Sequence, residues 1–311
     1  MRFQVPCLSF FGDFSGACPA DVSGLVLMCF MEFNSAMGFA VKAEKNEVGP
    51  SIQFLGVSVS IADGLSAPIA LALPEEKREK YASQIEEVLS SSFCPASTAD
   101  SIFGRLQWAE SLIFGRVHRA FLMSICMQKF SRSAAVSPRL EGALRWFKKF
   151  LSRRRVRIFS KPSDKIDFVV FSDASTTGLG VCVVSPSLEK WYFAASVPHD
   201  FDLVLPVGAS KIFTLECAAA LFAMRVVAEF LPGVEKRVCL FVDNNVSISS
   251  IIRAYSRCEL ASRVIAAFWE CAVERKISPW VERVRSSQNL ADAPSRAPPV
   301  GTAWRLFPRL Y

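Results

Sequence analysis

Four acidic residues in the second half of the chain, Asp173, Glu216, Asp243 and Asp292, have the type and spacing for metal chemistry. Asp173 closes the apolar run Ile166-Asp167-Phe168-Val169-Val170-Phe171-Ser172, and Asp243 closes another, Val238-Cys239-Leu240-Phe241-Val242. Glu216 lies inside a stretch of helical texture, Phe213 to Phe230, and Asp292 opens the segment Ala291-Asp292-Ala293-Pro294-Ser295-Arg296. Carboxylates at strand ends and on a facing helix can converge on one point. There they repel one another unless divalent cations sit between them. Such a cluster points to phosphodiester chemistry rather than simple binding. Any one of these acids alone reads better as a helix cap or a surface residue, so the ordered set carries the argument.

The elements that must position these acids show in the texture of the chain. From Ile166 onward, short β-branched and aromatic runs predict strands over Phe168–Phe171, Gly178–Val184 and Trp191–Ala195. Pro186-Ser187 and the bend at Gly178-Leu179-Gly180 separate them. A helix over Phe213–Phe230, a strand over Arg237–Val242, a helix over Leu260–Arg275, a strand over Trp280–Val284 and a short final helix follow. This order predicts a mixed sheet with helices packed on it. Upstream, residues 1–61 read as strand, turn, helix and strand, with helix over Asp21–Met37 and strand over Ser51–Ile61 broken at Gly56. Residues 62–135 read as mainly helical, with a helix start at Leu73-Pro74-Glu75-Glu76-Lys77 and acidic residues in its first turn.

Composition narrows the classes. The 311 residues leave room for two domains or three small ones. Hydrophobic residues make up 51%, ample core material that argues against wholesale disorder. The 26 phenylalanines and a mean hydropathy of +0.29 imply apolar surface meant for a partner segment. No uninterrupted apolar run reaches the roughly 18 residues of a membrane span, since Glu32 breaks the stretch Leu25–Phe33. The opening residues Met1-Arg2-Phe3-Gln4-Val5-Pro6 lack the apolar region of a signal peptide. An intracellular protein, cytoplasmic or nuclear and away from membranes, is expected. The 10 cysteines form no CxxC pair, and Cys182, Cys217 and Cys239 fall in core-like segments, so free thiols are expected. The 2 histidines, His118 and His199, weaken a zinc or Ser-His-Asp reading. The net charge of +7 leans toward polyanionic partners.

The motifs around the acids resemble, in order, those of ribonuclease H domains. Asp173-Ala174-Ser175-Thr176-Thr177-Gly178-Leu179-Gly180 looks like the first strand and hairpin, and Thr214-Leu215-Glu216-Cys217-Ala218-Ala219 is similar to the helix motif with the second carboxylate. Val242-Asp243-Asn244-Asn245 resembles the fourth-strand motif. Asn289-Leu290-Ala291-Asp292-Ala293-Pro294-Ser295-Arg296 resembles the closing motif of retroelement enzymes. The resemblance implies an α/β (α+β) fold with an RNase H-like mixed five-stranded sheet and flanking helices. Asp173 and Asp243 would lie on adjacent central strands, Glu216 on the helix over them, and Asp292 on the last helix. All four would ligate two Mg²⁺ ions (Mn²⁺ as a substitute) roughly 3.5–4 Å apart. Many family members carry a histidine before the last Asp, but here the region reads Arg285-Ser286-Ser287-Gln288-Asn289. Asn244 and Ser247 are candidates for backbone contacts to nucleic acid or, equally, for a strand-to-helix turn.

The N-terminal half extends the resemblance toward retrotransposon reverse transcriptases, of the DIRS-like or long-terminal-repeat kind. Phe10-Phe11-Gly12-Asp13-Phe14 falls where a polymerase has its Tyr-x-Asp-Asp hairpin, with Gly12 in place of the first Asp and Asp13 alone. Gly38, Lys45 and Phe54-Leu55-Gly56 are similar to the next polymerase motifs, and Leu73–Lys77 and Gly104-Arg105-Leu106 to the thumb and connection. The domains implied are a partial palm (1–61), a helical thumb and connection (62–135), a basic linker (136–164), an RNase H-like domain (165–298) and a tail (299–311). In the linker, Lys148, Lys149, Arg153, Arg154 and Arg155 could grip phosphates of an RNA–DNA hybrid or line a solvated helix. The resemblance implies cleavage of RNA in hybrids, with polymerase activity lost unless a missing upstream polymerase segment is a partner. The rival reading is a non-catalytic relic or a domesticated nucleic-acid-binding protein. An exonuclease would want its first acids as D-x-E, which Asp173-Ala174-Ser175 does not supply.

Overall fold

The computed structural model describes residues 7–10, 13–61, 68–110, 113, 115–153, 156–159, 165–198, 201–205, 207–230 and 235–296. In chain order the elements begin with β1 (Cys7–Phe10), β2 (Asp13–Gly16), α1 (Ser23–Ala36), β3 (Ser51–Phe54), β4 (Val57–Ile61) and β5 (Ile69–Ala72). Helices α2 (Glu75–Ser91), α3 (Ala96–Ala109), α4 (Arg119–Lys129) and α5 (Pro138–Leu151) follow, then β6 (Val156–Phe159). The remainder is β7 (Phe168–Ala174), β8 (Gly178–Val184), β9 (Lys190–Ser196), α6 (Phe201–Val204), α7 (Lys211–Phe230), β10 (Lys236–Val242), α8 (Asn245–Arg253), α9 (Glu259–Glu274), β11 (Ile277–Arg283) and α10 (Asp292–Arg296). The chain divides into two compact units, one of residues 1–86 and 148–162, the other of 87–147 and 163–311.

In the first unit, β1 and β2 pair antiparallel, and β3, β4, β5 and β6 form an antiparallel sheet in that order. The expected break at Gly56 is a two-residue turn in which Leu55 and Gly56 both have positive φ (50° and 76°), the geometry that matches strand twist. Helix α1 leaves Leu25, Met28 and Phe33 exposed and, among its residues, buries Asn34. Residues 62–135, expected to be mainly helical, hold α2, α3 and α4 but also strand β5. The stretch 136–164, expected as a linker, holds α5 and β6, and β6 pairs with β5 from Ile69↔Phe159 to Ala72↔Val156.

The second unit is built on the expected mixed five-stranded sheet, in the order β11-β10-β7-β8-β9. β7, β8 and β9 form an antiparallel meander, whereas β10 runs parallel to both β7 and β11. β8, Gly-Leu-Gly-Val-Cys-Val-Val, is buried at every position, as a continuous apolar strand in mid-sheet must be. β9 and β11 are the edges; exposed and covered residues alternate over Lys190–Phe193 of β9 and over Ile277–Glu282 of β11. Helix α7 is buried from Thr214 through Met224, and its run of alanines lets it lie close to the sheet and to α9.

Helices α3 and α4 and the first part of α5 join this sheet in one unit. Phe121 stacks on Trp146 at 4.4 Å, and Trp146 Nε1 donates to Glu270 Oε1 on α9 at 2.7 Å. Arg119 Nε meets Glu110 Oε1 at 2.9 Å, and the Arg116 guanidinium lies 5.1 Å from the Trp269 ring centre. Cys182, Cys217 and Cys239 are buried free thiols, as expected. Among the described residues no helix is long and apolar enough to cross a membrane.

Candidate metal centre

The sheet register brings the first two acids together. Phe171 on β7 stands opposite Phe241 on the parallel strand β10, so two residues further on Asp173 and Asp243 arrive at the same end of the sheet. Glu216 sits in the second turn of α7, which crosses β7 and β8. One carboxylate oxygen from each of Asp173, Glu216 and Asp243 lies within 4.8 Å of the others. Asp173 and Glu216 are each only 4% exposed, and Asp243 is half-buried.

Asp173 and Glu216, buried this close to one another, resist ionisation. Burial, then the charges of Asp173 and Asp243, push Glu216 up to about 9, although a hydrogen bond from the Ala174 backbone pulls the other way. Burial also raises Asp173 above the ordinary carboxylate range; the Ser295 hydroxyl opposes that, and Asp243 and Asp292 add to it. Glu216 Oε2 is buried with no hydrogen-bond partner among the described residues. Three converging carboxylates, one with an unpartnered oxygen, make a set of hard donors that fits a divalent cation such as Mg²⁺.

The fourth acid stands apart from this group. Both oxygens of Asp292 are taken by Arg296, with Nε at 3.1 and 3.0 Å and Nη2 at 2.7 Å, and this contact holds the Asp292 carboxyl below its ordinary range. Sequence reasoning placed Asp292 on the last helix, where it is, but did not foresee its partner. The four-residue spacing of Asp292 and Arg296 was the available signal.

No protein-family model and no curated protein matches the chain. Among solved structures it is similar to RNase H1 from the halophilic archaeon Halobacterium salinarum, at 16% identity and a TM-score of 0.33 over 41% of this chain and 92% of that one. It is also similar to the foamy viral protease–reverse transcriptase in complex with an RNA/DNA hybrid, at 13% identity and a TM-score of 0.39 over 98% of this chain and 38% of that one. A foamy viral structure with double-stranded DNA matches at 12% identity and a TM-score of 0.42, over 89% of this chain and 46% of that one. The chain therefore spans less than half the length of these two foamy viral chains.

The remaining candidates are scattered. Asn244 is the N-cap of α8: its Oδ1 accepts from the backbone N–H of Val246 (2.9 Å) and Ser247 (3.1 Å), and Ser247 is fully buried. In the first unit, exposed Lys148 pairs with Glu86, and Lys149 and Arg153 are exposed. Arg154, Arg155 and Gly12 lie outside the described residues, and Asp13 begins β2 with its side chain likewise outside them.

Three residues quoted only as parts of motifs are structurally central. Asn289 Nδ2 donates to Asp173 Oδ1 at 3.1 Å and to the Ser172 carbonyl at 3.0 Å. Ser295 Oγ lies 2.5 Å from Asp173 Oδ2. Gly180, opposite Asp173 in the ladder, leaves room for the closing segment: a Cβ there would stand 2.3 Å from the Ala291 carbonyl oxygen and 2.5 Å from the Ser295 nitrogen.

Proposed function

We propose that the second unit is a metal-dependent endoribonuclease of the RNase H type, cutting the RNA strand of RNA–DNA hybrids within a retrotransposon-derived reverse transcriptase. The observation that carries this reading is the group of buried Asp173 and Glu216 with half-buried Asp243, in which Glu216 Oε2 has no hydrogen-bond partner among the described residues. These three residues would hold Mg²⁺, with Mn²⁺ as a substitute. A pair of such ions, when bound, lowers the pKa of an attacking water and stabilises the leaving 3′ oxygen. Asp173 and Glu216 are buried, and half-buried Asp243 would leave the group open to a substrate strand. Recognition would rest on minor-groove width and 2′-hydroxyl contacts rather than on base edges. DNA synthesis is not assigned to the chain, because Gly12 stands where a polymerase has its first Asp.

The test is cleavage of a defined RNA–DNA hybrid with Mg²⁺. Asp243→Asn is expected to lower the rate roughly 100-fold or more, as loss of several kcal/mol of metal-centred stabilisation implies. A wild-type rate no higher than that of the variant would sink the enzymatic reading. Asp292, paired with Arg296 and not grouped with the other three acids, favours the second reading, a non-catalytic nucleic-acid-binding relic. That reading predicts hybrid binding without cleavage in the same assay.

A further inference from the structure

We infer that Asn289 and Ser295 are positioning residues of the metal centre: each holds one oxygen of Asp173, and together they stop its carboxylate from rotating away from Glu216 and Asp243. The inference rests on the metal-centre reading above.

The geometry separates this role from mere fastening of the chain end. The closing segment is already fixed to the sheet by other contacts. Ser175 Oγ donates to the Ser295 carbonyl at 2.7 Å, Asn289 Nδ2 holds the Ser172 carbonyl, and Ala291 seats against Gly180. The two bonds to Asp173 come in addition. Ser295 Oγ also lies 2.8 Å from the Asp292 carbonyl, but its single proton is drawn more strongly to a carboxylate than to a neutral carbonyl. The Asn289 amide cannot turn, because Nδ2 serves Ser172 and Asp173 while Oδ1 accepts from the Ala291 N–H at 3.2 Å. Ser295 is fully buried and Asn289 is 6% exposed, so water does not compete for these donors.

The chemistry of the donors matters as much as their place. A Lys or Arg bonded to Asp173 would neutralise its charge and oppose a metal ion; Arg296, whose charge reaches Asp173, is bonded to Asp292 instead. A hydroxyl and an amide orient the carboxylate and leave its charge available. Such outer hydrogen bonds to a ligating carboxylate are typically worth roughly 10–100-fold in metal affinity.

The experiment measures Mn²⁺ uptake by the full, metal-free chain, read as the loss of the free-ion electron paramagnetic resonance signal, beside thermal unfolding of each variant. Ser295→Ala is expected to bind Mn²⁺ roughly 10–100-fold more weakly than wild type at a temperature where it is fully folded. Should Ser295→Ala fail to fold, Asn289→Ala carries the same expectation. Ser175→Ala removes a fastening bond without touching Asp173, and is expected to lower the unfolding temperature while leaving Mn²⁺ affinity within about twofold. The inference is overturned if Ser295→Ala binds as wild type does, or if Ser175→Ala weakens binding as much as Ser295→Ala. Wild-type binding that Asp243→Asn abolishes and Ser295→Ala leaves unchanged overturns the positioning role alone. A wild type that takes up no Mn²⁺ overturns the metal centre and the inference with it.

Discussion

Glu216 sets the pH behaviour of the metal-free protein. An unfolded chain ionises this residue near the ordinary value of 4.5, whereas the fold keeps it neutral up to about 9. Between those values the unfolded state binds fewer protons, so stability falls as pH rises. The contribution is complete below about 4.5 and gone by about 9. His118 acts oppositely: burial beside Arg119 lowers it to about 3 from 6.5, so its contribution is complete above 6.5 and lost as pH falls. Comparing wild type with Glu216→Gln cancels the histidine. In chelator, thermal unfolding should show the variant more stable at pH 8, with the gap closing toward pH 5; a gap that does not depend on pH would refute this account. The acids themselves were legible because type and position coincide: each of the two strand-end carboxylates closes an apolar run. The hydrogen bonds that organise them were not. Asn289 and Ser295 meet Asp173 across separations of 116 and 122 residues, which no local pattern encodes.

At the scale of elements, the site depends on how closely α10 lies on β8. A methyl group at position 180 would have to displace backbone rather than a flexible side chain. Gly180→Ala is therefore expected to cost about 1–3 kcal/mol, the range for overpacked interiors. It should also weaken cation binding by lifting Ser295 from Asp173. Urea unfolding beside Mn²⁺ uptake checks both, and an unchanged midpoint would contradict the close approach. The strands β7 to β11 and helices α7 and α9 were readable from period and turn residues. Helix α8 was not, because Asn244-Asn245 reads as a turn and the helix has only 9 residues before Ala254 takes a left-handed conformation to end it. Strands β5 and β6 escaped for a related reason. Each has four residues, too short to show alternation, and their pairing spans the whole helical stretch between them.

At the scale of the molecule, sequence texture put a boundary before residue 165, whereas the contacts join residues 87–147 to the sheet that follows. Composition changes near that point, but Trp146 and Arg116 reach across it to Glu270 and Trp269 of α9. Trp146→Phe removes the N–H donated to Glu270 and is expected to cost about 1.5–3 kcal/mol, as for a hydrogen bond to a charged group. Far-UV circular dichroism in urea should show one shifted transition. Two separate transitions would mean that the helices and the sheet unfold independently. The long reach from Asp173 to Ser295 also has a consequence for synthesis. At about 5–20 residues per second, the ribosome needs roughly 6–24 s to add the 122 residues between them. Until that interval ends Asp173 lacks Ser295, the later of its two donors to be made. Asp173, Glu216 and Asp243 are thus all synthesised well before the segment that holds the Asp173 carboxylate in place.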